Sequence, residues 1–182
     1  MKIKKPKMRG LAILFLFASA IWGGCVRSDM QTVENSICLL ELVDSGNLGS
    51  LRLTIYSLDL GDFRFRRPHS LESLKERGYY KVEVRGWALR EHRDLIYQLV
   101  NAELVPLEIE SFVDARFYYV FDHAEYGELF SFLAYGVKTE DETITISVFV
   151  NGINVEPKDV FFDMMIPFVP ESIARRLRGP WE

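Results

Sequence analysis

Apolar and polar residues alternate with a period of two along much of this chain, the pattern of strands with one buried face. Leu51, Leu53 and Ile55 alternate with Arg52, Thr54 and Tyr56, and Tyr80, Val82 and Val84 with Lys81, Glu83 and Arg85. Phe63 and Phe65 alternate with Arg64 and Arg66, which predicts a short edge strand stopped by Pro68. Residues 114–122, DARFYYVFD, are nearly all aromatic or aliphatic and predict a central strand buried on both faces. The turns HAEYGE and GVKTEDE return the chain into strands over 129–135 and 143–150. Asn151-Gly152 then predicts a two-residue hairpin, because a type I′ turn needs positive φ at both central positions. Residues 114–155 therefore read as an antiparallel meander.

Helical signals fall elsewhere. Ser70 is a candidate N-cap for a short helix over 71–77, with Gly78 just past its end. Residues 88–103, ALREHRDLIYQLVNAE, put Leu89, Ile96, Leu99 and Val100 on one stripe with Leu95 at its edge, and Pro106 forbids continuation. Pro170 precedes a last helix, ESIARRL. The apolar run over 37–43 reads as a first strand or the start of the packed domain, followed by the turn signal DSGNLG. Strands and helices are segregated rather than alternating. The expected fold class is α+β: one domain, an antiparallel sheet with a C-terminal meander, packed on one side by one long and one or two short helices.

Ahead of this domain lie a basic segment, MKIKKPKMR, and an apolar run from Leu11 to Trp22. Even with Gly23 and Gly24 the run covers 14 residues, whereas a spanning helix needs roughly 20. A secretory signal is expected here, with a permanent membrane anchor as an alternative. The following Gly23-Gly24-Cys25 resembles the lipobox of bacterial lipoproteins, with Trp22 where an aliphatic residue is usual. The resemblance implies a signal peptide over 1–24, lipidation of Cys25, a polar tether over 25–35 and the α+β domain over 36–182. It also implies the extracytoplasmic face of a bacterial cell envelope. Val26 instead of Asp after the cysteine directs such proteins to the outer membrane where there is one. The alternative is an ordinary signal peptide cut near residues 18–20 or 24. Cys25 would then stay in the mature chain, free to pair with Cys38 in an oxidising compartment. With Cys25 acylated, Cys38 in SICLLEL reads as a small buried hydrophobe and not a nucleophile.

Composition changes this picture in two ways. Thirteen Phe and eight Tyr favour a β-rich core. The first 24 residues carry five cations and no acid, so without them the formal net charge falls from −4 to −9. An acidic body argues against nucleic acid as a partner, since phosphate contacts need Lys and Arg.

Candidate chemistry is sparse. His69, His92 and His123 have no metal-ligand spacing, and neither CxxC, HExxH, GxSxG nor a glycine-rich phosphate cradle occurs. His92 lies among charged neighbours and is expected in solvent. Asp122-His123 is a tempting general-base pair, but adjacent strand residues point to opposite faces. Glu140-Asp141-Glu142 reads as a solvated hairpin tip, and Arg64, Arg66, Arg67, His69, Lys75 and Arg77 as a local basic patch. Arg175, Arg176 and Arg178 suit a helix's last turn.

No catalytic, cofactor-binding or metal residue is therefore assigned, no cofactor is expected, and the one assigned site is lipidation at Cys25. The expected function is a membrane-anchored, non-enzymatic binding protein with a protein partner, in the manner of an inhibitor, immunity or assembly factor. Two alternatives stand beside it. One is a hydrolase assembled from His123, Asp122 and Ser131. The other is a carrier of a small apolar ligand lined by Phe117, Tyr119, Phe130 and Phe132.

Overall fold

Strands β1 (Leu51–Ser57), β2 (Tyr80–Arg85), β3 (Asp114–His123), β4 (Gly127–Lys138), β5 (Ile144–Val150) and β6 (Ile153–Val155) form one antiparallel sheet ordered β2-β1-β3-β4-β5-β6. The computed structural model describes residues 35–58, 69–78, 80–108, 114–138 and 144–178. The expected signal, Cys25, the tether up to residue 34, the strand around Phe63 and Phe65, and the Glu140-Asp141-Glu142 tip lie outside these residues; the last tether residue, Asn35, instead opens the first helix. The fold is α+β, as the segregation of patterns predicts.

Every β3 residue belongs to one of two faces. Phe117, Tyr119 and Phe121 point into the main core with Leu53, Ile55, Phe130, Phe132, Val148 and Val150. Tyr119 stacks between Phe132 and Phe130, with centroids 4.8 and 6.3 Å away. Tyr118 points the other way, with Ala115 and Leu133. The residues proposed to line a ligand cavity are thus packed ring against ring. In the hairpin after β5, Asn151 and Gly152 have φ of 49° and 81°, the two positive values the sequence requires.

The main core is covered by four helical pieces. Helix α1 spans 35–45 and buries Leu39, Leu42 and Val43. The strand expected over 37–43 is this helix: a short apolar run has no period that separates strand from buried helix, and the 39, 42, 43 spacing suits one helical face. The helix expected over 88–103 is broken and shorter. It comprises α3 (Gly86–Leu89), a 3-10 turn (Arg90–His92) and α4 (Arg93–Val100). The break falls at His92, whose backbone is non-helical (φ −110°, ψ 22°) and whose ring meets Phe168 edge-on at 4.8 Å. His92 is accordingly half-buried, not in solvent. Asn101 ends α4 by donating from Nδ2 to the Tyr97 carbonyl at 2.8 Å. Leu89, Ile96 and Leu99 still bury as one stripe. Gly86 lets α3 leave β2 directly, because a Cβ there would lie 1.9 Å from the Leu48 carbonyl oxygen. Helices α5 (Asp159–Asp163) and α6 (Glu171–Leu177) add Phe161, Phe162 and Leu177.

The remaining helix, α2 (Leu71–Arg77), departs from the one-sided arrangement. Its Leu74 packs with Tyr118 and Leu133 on the opposite face. Ser70 caps it as predicted, accepting from the Ser73 N–H. At one edge of the sheet Pro106 bridges to Val155, and the Leu107 N–H donates to the Asn154 carbonyl at 3.0 Å. The other edge, β2, carries Lys81, Glu83 and Arg85 outward.

Two substitutions measure these constraints by urea unfolding. Phe132→Ala removes the ring shared by the aromatic stack and α5, and is expected to cost about 3–5 kcal/mol. Gly152→Ala meets no atom within 4 Å, so only its positive φ is penalised, at about 1 kcal/mol.

Candidate functional site

Among the described residues, the face of the sheet opposite the main core is only partly covered, and α2 decides where. The His69 N–H donates to the Asp114 carboxylate at 2.9 Å, and the His69 carbonyl accepts from the Ala115 N–H at 2.8 Å. These two bonds hold the helix entrance on the start of β3. The Asp114 carboxylate also pairs with the Arg116 guanidinium, both side chains being buried. From this clamp α2 lays Leu74 against Leu58, Ala115, Tyr118 and Leu133.

Beside α2 the face stays open as a groove of about 300 Å³, bordered by Leu71 and Lys75 of the helix. Tyr118, Leu133, Tyr135 and Phe149 supply its aromatic and aliphatic surface, and Glu128, Ser131 and Gly152 its polar end. Tyr135 and Phe149 meet at 5.6 Å, nearly perpendicular. The Lys75 ammonium sits 4.5 Å from the centroid of the Tyr118 ring, a cation–π arrangement. Burial, and after it the Glu128 carboxylate, pushes the Tyr118 hydroxyl well above its ordinary pKa. It therefore stays a neutral donor and acceptor at physiological pH. The Asn151 carboxamide oxygen accepts from the Ser131 N–H at 2.7 Å, which ties the hairpin beside Gly152 to β4.

The structure does not bring the hydrolase residues together. Asp122 lies on the groove face, its carboxylate 2.7 Å from the Arg52 guanidinium. His123 lies on the core face, stacked on Tyr126 at 4.7 Å, its Nδ1 accepting from the Glu125 N–H at 3.2 Å. Ser131 pairs across the sheet with Val120, so it faces away from His123. Strand parity separates the dyad, as adjacency in a strand predicts.

Of the basic patch, Arg64, Arg66 and Arg67 lie outside the described residues. Lys75 serves the groove, and the His69 Nδ1 is 3.3 Å from the Ser73 hydroxyl. Arg175 and Arg178 both reach Glu171, at 3.6 and 3.3 Å. Cys38 is a free thiol, half-buried on α1, and burial followed by Glu41 pushes its pKa up. That suits an inert packing residue. Among the described residues no three His, Cys, Asp or Glu side chains gather to hold a metal ion, and no helix is long and apolar enough to cross a membrane.

The groove residues escaped the sequence reading by one step of parity. The cavity candidates Phe117, Tyr119, Phe130 and Phe132 face the main core, while Tyr118, Leu133 and Tyr135 line the groove. The chain matches no protein-family model, and no curated protein or solved structure is significantly similar to it.

The clamp gives a test. Asp114→Ala removes the buried ion pair to Arg116 and the acceptor for the His69 N–H, and is expected to cost about 3–5 kcal/mol in urea unfolding. The double variant Asp114→Leu/Arg116→Met removes both charges and should be less destabilised than Asp114→Ala alone.

Proposed function

We propose that this chain is a lipid-anchored protein of the bacterial envelope that binds a protein partner through the groove beside α2, without chemistry of its own. The anchor rests on the basic segment, the apolar run and Gly23-Gly24-Cys25, which together resemble a lipoprotein signal. The acylated Cys25 would begin the mature chain, and Val26 favours the outer membrane where there is one. The observation that carries the binding half is the groove itself. A groove floored by Tyr118 and lined by Tyr135 and Phe149, between one ammonium and one carboxylate, offers aromatic contact surface, and tyrosine is enriched at protein-binding hot spots. An apolar side chain of the partner would rest on Tyr118, Tyr135 and Phe149, with its polar flank between Lys75 and Glu128. The parting of Asp122, His123 and Ser131 onto two faces weighs against the hydrolase alternative.

Two measurements test the two halves. Mass spectrometry of the protein from membranes should find a diacylglyceryl Cys25 as the first residue, and Cys25→Ser should leave the membrane fraction. An unmodified residue 25 still preceded by Trp22 defeats the anchor. For the groove, affinity capture from envelope extract should recover one stoichiometric partner. Lys75→Glu and Tyr135→Ala should each weaken that capture about tenfold or more, as loss of a hot-spot contact does. Capture that ignores both variants defeats the groove.

A further inference from the structure

The register of the sheet gathers four strand ends at one end of the domain. Leu51 at the start of β1 pairs with His123 at the end of β3, Arg52 with Arg85 at the end of β2, and His123 with Gly127 at the start of β4. Tyr126 occupies the β3–β4 turn, and Trp87 follows β2 by two residues. Helix α1 crosses the same end. Its Asn35 side chain donates to the Glu128 carbonyl at 3.0 Å, while Asp44 pairs with Arg93 at 2.9 Å. Eleven helical residues span about 16 Å, close to the roughly 14 Å of three strand spacings.

This end is unusually greasy for an acidic domain. Trp87 is 79% exposed, Tyr126 51% and Ile37, two residues into α1, 51%. Trp87 and Tyr126 stand about 10–14 Å apart, two or three strand spacings. It is also the end at which the chain from Cys25 arrives. Asn35 lies ten positions after Cys25, a reach of at most about 35 Å when fully extended.

We propose that the end carrying Trp87, Tyr126 and Ile37 lies in the headgroup layer of the membrane that holds Cys25. This rests on the acylation of Cys25 proposed above. The occupant is a lipid surface because Trp and Tyr favour the membrane–water interface, with an apolar ring and a polar tip, and because the anchor delivers this end first. The charges here are mixed: Arg85, the Arg52–Asp122 pair, and Glu125 and Glu128 on either side of Tyr126. Contact therefore depends on the aromatic rings and not on anionic lipid. In this pose the strands stand up from the bilayer and the groove beside α2 opens sideways.

The test uses the intact acylated protein reconstituted into phosphatidylethanolamine–phosphatidylglycerol vesicles. Trp22 is lost with the signal peptide, so Trp181→Phe leaves Trp87 as the one tryptophan of the mature chain. Bromine near the top of the lipid chains should then quench Trp87 about twofold, because side chains at the headgroup–acyl boundary come within its reach. A second reporter, Leu107→Trp in a Trp87→Phe/Trp181→Phe background, sits beside Asn154 of β6, about 20 Å along the strands from this end. It should not be quenched. Halving the anionic lipid should leave Trp87 quenching unchanged. If Trp87 is not quenched although Cys25 is shown by mass to be acylated, the pose is wrong and the anchor stands. Equal quenching at 87 and 107 also overturns it, as does a Trp87 shielded by a captured protein and not by lipid. An unmodified Cys25 removes both readings together.

Discussion

Strand β3 is buried on both faces, and the pleat forces each of its residues to choose one. The rest of the structure follows from that division. One parity builds the stack of Phe117, Tyr119 and Phe121 that receives α1, α4, α5 and α6. The other gives Tyr118 to α2 and the groove. The same rule sends Asp122 to Arg52 and His123 to Tyr126, so two chemically suggestive neighbours lead separate lives. A one-residue slip in β3 would exchange the two environments outright.

The groove depends on a second, much more local constraint. Helix α2 has seven residues and one fully buried leucine, which is too little apolar surface to dock it by burial alone. Its position comes from polar contacts at its entrance, where His69 meets Asp114 and Ala115 across 45 residues of sequence. Because Asp114 is also neutralised by Arg116, the clamp operates without leaving an unpaired buried carboxylate. A helix placed this way shelters only the side of the face nearest the clamp. The uncovered remainder is the groove.

What the sequence disclosed and what it hid divide along the same line. Strong periods were readable: the alternations of β1 and β2, the two-faced β3, the Asn151-Gly152 turn and the Leu89–Ile96–Leu99 stripe. Each is a local pattern that burial repeats without amendment. The run over 37–43 was not readable as helix because an apolar stretch this short, broken only by Glu41, carries no period that separates strand from buried helix, and packing on the core selects Leu39, Leu42 and Val43 as a face. The bend at His92 answers to Phe168, a residue 76 positions later. The groove was hidden for the same reason, since nothing near residue 69 announces Asp114.

Among the described residues, both edges of the sheet carry features that discourage addition of a foreign strand. At β6 the neighbouring segment contributes Pro106, which has no N–H to offer, and the Asn154 side chain fastens that segment by donating to the Glu108 carbonyl at 3.0 Å. At β2 the outward row of Lys81, Glu83 and Arg85 makes docking of an apolar strand costly. Among the described residues, the two margins thus work by different means, a bridging segment at one and a charged row at the other, against edge-to-edge addition of a second copy.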